Sequence, residues 1–94
     1  MKNAPRKLPV AIWIPTGRSV PAIYRGTPIE MVREMAEEME ETRLDVAVSK
    51  ILTGLSENRR VTIRLPSGLP EEALSGLFVH ALLETGVGRA LPDA

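Results

Sequence analysis

Residues 29–53 contain neither glycine nor proline, so the middle of this chain is most easily built as helix. Thr27, Pro28 and Glu30 stand at the start of that stretch. The Thr27 side chain can accept a bond from a free amide, Pro28 suits the first helical position, and Glu30 can reach back to the Thr27 amide. The pattern predicts a helix over residues 28–41 with an apolar stripe formed by Ile29, Val32, Met35, Ala36 and Met39.

The apolar stripe changes phase near residue 44. This change favours a break near Glu41-Thr42 and a second helix that ends near Gly54, with Thr42 or Asp45 as its cap. A single helix through residue 55 is the alternative. A further helix is predicted from Pro70 to about residue 84, followed by a left-handed glycine cap at residue 86.

Three segments alternate like strands. Residues 8–14 (LPVAIWI) are followed by a turn and by residues 19–25, which we expect to return antiparallel at an edge because Pro21 cannot donate to a ladder. Residues 60–65 also alternate. The octapeptides VAIWIPTG (10–17) and VTIRLPSG (61–68) are near-copies. Either the segment was duplicated, or the same kinds of residue were used twice to build a strand and end it with a turn. Similar strands separated by helix are candidates for parallel neighbours.

These elements predict one domain over residues 1–94, with a loose arm at 1–7 and a tail at 88–94. The predicted fold class is α+β, or small α/β. It has a three-stranded mixed sheet packed with two or three helices in the order β-β-α-α-β-α. The first 30 or so residues also resemble the start of a ubiquitin-like β-grasp, with a strand, a Thr-Gly turn, a second strand and a helix opened by Thr-x-Ile-Glu. After residue 45 the pattern departs from that family.

Composition narrows the function classes. The formal net charge is zero, which argues against a nucleic-acid binder, and there is no cysteine, which fits a reducing compartment. No apolar run approaches the roughly 20 residues of a membrane span, and the N-terminus does not read as a signal peptide. We therefore expect a cytoplasmic protein without membrane contact. Acids concentrate in residues 30–45 and basic residues in 1–25, as on solvated surfaces or on docking surfaces.

Catalytic and metal-binding patterns are weak. His80 is the single histidine and lies mid-helix among apolar residues, where a structural role and a pairing with Glu84 four residues later are expected. The acids of the first helix (Glu34, Glu37, Glu38 and Glu41) lack the loop of a calcium site. We expect no enzyme activity, no catalytic residue, no metal and no cofactor.

One segment resembles a DNA-binding motif. RRVTIRLPSGLPEEALSGL (59–77) is similar to the opening of a ribbon–helix–helix repressor, which implies DNA contacts from Arg59, Arg60 and Arg64. That family requires a second helix, and only eight residues follow Gly86. A small DNA-binding regulator is therefore the alternative hypothesis.

The leading hypothesis comes from surplus apolar surface. The last helix has a core stripe (Leu74, Leu77, Phe78, Ala81 and Leu82), yet Gly76, Val79 and Leu83 lie on roughly its opposite side. Trp13 lies on the far face of the predicted sheet. These four residues are the candidate interface of a non-enzymatic protein–protein interaction or adaptor domain, expected to bind a protein partner or a second copy in a homodimer. The alternative is that the tail, with Val87 and Leu91, folds back over the helix.

Overall fold

The computed structural model describes residues 11–14, of which only the backbone is described, and residues 22–90. The elements follow one another as strand β1 (Ala11–Ile14), strand β2 (Ala22–Arg25), helix α1 (Pro28–Glu38), helix α2 (Leu44–Arg59), helix α3 (Glu71–Glu84) and the two-residue strand β3 (Arg89–Ala90).

The start of α1 confirms the capping box. The Thr27 amide donates to Glu30 Oε1 at 2.8 Å, and the Glu30 amide donates to Thr27 Oγ1 at 3.4 Å. Gly26, immediately before the cap, has a φ of +108°, a conformation that favours glycine. The helix ends at Glu38, three residues before the predicted end, and Glu40 then takes a φ of +57°. The predicted break between two helices is therefore confirmed.

Helix α2 begins without a side-chain cap. Its N-cap is Arg43, which makes no capping bond, so the prediction of Thr42 or Asp45 as the cap is wrong. Asp45 instead forms an ion pair with Arg43 at 2.8 Å. The helix passes through Gly54 and ends at Arg59, because Arg60 adopts the left-handed conformation with φ 57°. The Val61 amide then donates to the Leu55 carbonyl at 3.2 Å and turns the chain back along the helix.

The strands form a short antiparallel ribbon. β1 pairs with β2, with Trp13 opposite Ile23, and this confirms the expected antiparallel return at an edge. On its other side β1 pairs with β3, where Trp13 is opposite Arg89. Residues 89–90, which were expected in the loose tail, therefore take part in the ribbon. The rest of the predicted arm (1–7) and tail (91–94) lies outside the described residues.

The predicted fold class is wrong. The described chain is mostly helical, and its pairing is confined to strands of four, four and two residues. A three-stranded mixed sheet of the predicted kind is not seen, because residues 60–65 are not a ladder strand and the parallel pairing of the two similar segments does not form. The physical reason is that β2 and β3 occupy both sides of β1, so the segment 60–65 packs its apolar side chains on the helices instead.

Three helices enclose the core, and each of them packs against the other two. The side chains fully removed from solvent are Met31, Val32, Ala47, Ser75, Phe78, Val79 and Leu82. Burying a side chain the size of Phe78 contributes roughly 2–3 kcal/mol. Val87, just after α3, is also part of this core, which fits the alternative in which the chain after α3 folds back.

Candidate functional site

A groove of about 820 Å³ runs between α2 and the segment that leads into α3. Sites that hold a small molecule or a few partner side chains have volumes of about 300–1,000 Å³. The groove exists because the turn at Arg60 sends the chain back along α2. As a result, Leu65 and Leu69 lie opposite Leu52. The remaining apolar lining residues are Val46, Val48 and Leu74.

Charged side chains stand at both sides of the groove. Arg43, Asp45 and Lys50 come from the α2 side, and Glu71 comes from the first turn of α3. Lys50 donates a hydrogen bond of 2.9 Å to Glu41, and Arg43 pairs with Asp45. Both ion pairs are exposed on at least one partner, so each contributes at most about 1 kcal/mol to stability. The two pairs keep the Arg43 and Lys50 cations and the Asp45 carboxylate beside the apolar lining of the groove.

Glu41, the acid that binds Lys50, has a shifted ionisation. The hydrogen bond from Lys50 is the main reason that the pKa of Glu41 lies below its ordinary value, and the amide of Arg43 also contributes. The Glu41 carboxylate is therefore ionised at neutral pH and keeps the Lys50 ammonium in place beside the groove. Hydroxyl groups from Ser49, Thr53 and Ser67 complete the polar lining.

The groove is lined by apolar, hydroxyl and charged side chains. His80, the only histidine, does not line it and instead forms an exposed pair with Glu84 at 3.1 Å. That geometry confirms the expected pairing four residues apart. Within the described residues no group of three or more acids, histidines or cysteines is close enough to hold a metal ion. No helix in the described part of the chain has the length and apolar character needed to cross a bilayer.

The predicted interface residues occupy different environments. The Val79 side chain is completely buried in the core of one chain, Leu83 is half-buried against that core, and Gly76 is partly exposed. The Trp13 side chain lies outside the described residues. Of the three members whose side chains are described, Gly76 and Leu83 reach the surface and Val79 does not.

The prediction that Leu77 belongs to the core stripe of α3 is wrong. Leu77 is 42% exposed, and Ile23 on β2 is 46% exposed. The helix buries an arc centred on Ser75, Phe78, Val79 and Leu82, since it packs against both α1 and α2. An almost uniformly apolar helix gives little periodic signal, so its sequence could not indicate which side would face the core.

The sequence alone does not indicate the groove, because the groove depends on where two distant segments meet. The sequence predicts Leu65 as the end of a strand and residues 66–68 as a turn, and neither prediction brings this segment against α2. The apolar alternation of Val61, Ile63 and Leu65 is the one signal that the segment has a side that packs against other residues. Comparison of the chain with protein families, curated proteins and solved structures finds no match.

Proposed function

We propose that this protein is a protein–protein interaction module that accepts a segment of its partner in the groove between α2 and residues 65–69. The observation that carries the proposal is an apolar floor with charged side chains at its mouth, which no described segment of the chain fills. Apolar side chains in such a slot supply affinity, while the rim charges select the partner.

The proposal differs from an interface on α3 alone. Val79 is buried in the core of the single chain, whereas the groove residues Ser49 and Thr53 are exposed. Self-association remains part of the proposal, because a second copy could insert an exposed apolar side chain such as Leu77 or Ile23. Sedimentation at two concentrations separates this version from binding to a different protein.

Two serines of α2 provide a matched test. Ser49 lines the groove and Ser56 does not, yet both are exposed on the same helix. Peptides selected from a random displayed library should bind the wild type and Ser56→Arg equally. Binding to Ser49→Arg should be at least about tenfold weaker, a loss of 1.4 kcal/mol. Equal binding to all three proteins, or peptide contacts that map by NMR to another face, would show that the groove is not the site.

A second candidate function is DNA binding through the basic segment. The observation in its favour is that Arg60 and Arg64 are both exposed. It requires salt-dependent binding to duplex DNA that Arg64→Ala weakens. The zero net charge of the chain favours the first candidate.

A further inference from the structure

Residues 60–65 have the side-chain pattern of a strand but, among the described residues, no partner strand. Positions 60, 62 and 64 are exposed, while Val61, Ile63 and Leu65 are half-buried against the core. The segment belongs to neither pairing of the ribbon, and among the described residues no backbone hydrogen bond reaches residues 62–65. A row of unpaired amides and carbonyls on an alternating segment is a template for another chain.

The segment is held firmly enough to serve as a template. At its start, the Val61 amide bonds to the Leu55 carbonyl at 3.2 Å, and at its end Leu65 packs into the groove beside α2. In an extended chain, successive residues direct their N–H and C=O groups to opposite edges. Because the Val61 amide points towards α2, the N–H and C=O groups of Thr62 and Arg64 point to the edge of the segment that faces away from α2.

The charges on the segment decide which kind of strand fits. Arg60 and Arg64 are exposed, and neither is in an ion pair with another described residue. A second copy paired antiparallel about Thr62 would bring its arginines close to Arg60 and Arg64, and like charges so placed are destabilising. Arg60 is the left-handed cap of α2 and its amide donates to the Leu55 carbonyl, so Arg64 is the position that an acidic residue of an added strand can face.

We propose that an extended, acidic segment of a protein partner adds to the Thr62–Arg64 edge as an antiparallel strand. Its backbone bonds to the amides and carbonyls of these two residues, and one of its acids faces Arg64. This inference rests on the proposed role as an interaction module, and it specifies how the partner is recognised. It uses residues that are distinct from the groove position Ser49, so the two proposals can fail separately.

The probe is the capped nonapeptide TVEVTVEVT, whose third residue, a glutamate, falls opposite Arg64 when its central threonine faces Thr62. The control is TVKVTVKVT. On addition of the acidic peptide, amide exchange at Thr62 and Arg64 should slow by at least about tenfold, while the lysine peptide should have no effect. The double variant Arg60→Glu with Arg64→Glu should exchange these preferences. Because both side chains are exposed, it should fold like the wild type.

Three results would overturn the inference: unchanged exchange at Thr62 and Arg64 at millimolar acidic peptide, equal binding of the two peptides, or protection of these amides by duplex DNA instead. Binding of the nonapeptide to Ser49→Arg should match the wild type. If no library peptide binds in the groove while the nonapeptide binds, the proposal for the Thr62–Arg64 edge is supported and the groove proposal is wrong. If groove peptides bind and the nonapeptide does not, the edge proposal is wrong and the groove proposal stands.

Discussion

The hydroxyl of Tyr24 donates a hydrogen bond of 2.6 Å to Glu38 Oε1, and this bond ties the edge strand β2 to the last residue of α1. Tyr24 is only 6% exposed, so its ring belongs to the core while its hydroxyl reaches a carboxylate at the surface. The contact joins the ribbon to the helices at a point 14 residues apart in sequence.

Removing this hydroxyl should loosen the ribbon. We expect Tyr24→Phe to lower the free energy of unfolding by about 1 kcal/mol, since the ring still packs and only the bond is lost. Urea denaturation measures the change. Glu38→Gln keeps an acceptor and should lose less than Tyr24→Phe. A larger loss in Glu38→Gln would show that charge, and not the Tyr24 hydroxyl, provides the tie.

Replacing Ser75 with alanine should stabilise the protein. Its side chain is completely buried in α3, and its hydroxyl has no hydrogen-bond partner among the described residues. We expect Ser75→Ala to raise the free energy of unfolding by about 1 kcal/mol, because an unpaired buried hydroxyl is removed and alanine favours helix. Ser56→Ala, the same change at an exposed position of α2, reports the helix preference alone. Equal gains in both variants would mean that the buried hydroxyl carries no penalty.

The capping box of α1 should give a measurable dependence on pH. The amide of Thr27 is the main reason that the pKa of Glu30 lies below its ordinary value of 4.5, with the Thr27 side chain next. A carboxylate with a lowered folded-state pKa stabilises the fold at pH values above its unfolded pKa, and the effect is lost as pH falls through the folded value. Stability should therefore decline below about pH 4.5 less steeply in Glu30→Gln than in the wild type.

Two variants complete that test. Glu34→Gln removes a charge from the same exposed helix face. This variant should still show the loss of stability at low pH that is assigned to Glu30. Thr27→Ala should cost about 1 kcal/mol at neutral pH through loss of the cap. Parallel acid denaturation curves for the wild type and Glu30→Gln would contradict the role assigned to the capping box.

A substitution at Gly76 can distinguish the contribution of α3 to stability from self-association through this helix. A Cβ at this helical position would meet no atom within 4 Å, so Gly76→Ala should raise the free energy of unfolding by about 0.5–1 kcal/mol. If Gly76 permits close approach of a second copy, the same variant should weaken self-association in sedimentation. A destabilised monomer would show that the site is more crowded than the structure indicates.

Val79 should behave as a core residue. Because its side chain is completely buried, Val79→Ala should lower the free energy of unfolding by about 2 kcal/mol. Leu83→Ala, at a half-buried position of the same helix, should cost less despite removing more atoms. Thermal unfolding followed by circular dichroism compares the two. A stable Val79→Ala protein that had lost only association would restore the original interface hypothesis.

The local parts of this structure could be predicted well. Thr27, Pro28 and Glu30 determined where α1 begins, because a cap involves bonds between residues three apart. The turn glycine at position 86, with φ +81°, was predictable for the same reason. The half-buried alternation of Val61, Ile63 and Leu65 also follows from sequence, since a period of two is a property of the segment itself.

Tertiary structure decided the rest. Whether residues 60–65 join a ladder depended on β2 and β3, which occupy both sides of β1, and no local pattern encodes that competition. The buried arc of α3 depended on where α1 and α2 press against a helix that is apolar on nearly every side. By itself, the sequence determined where segments start, stop and alternate. Which surfaces were covered was decided only when distant segments met, because burial is a property of the packed chain.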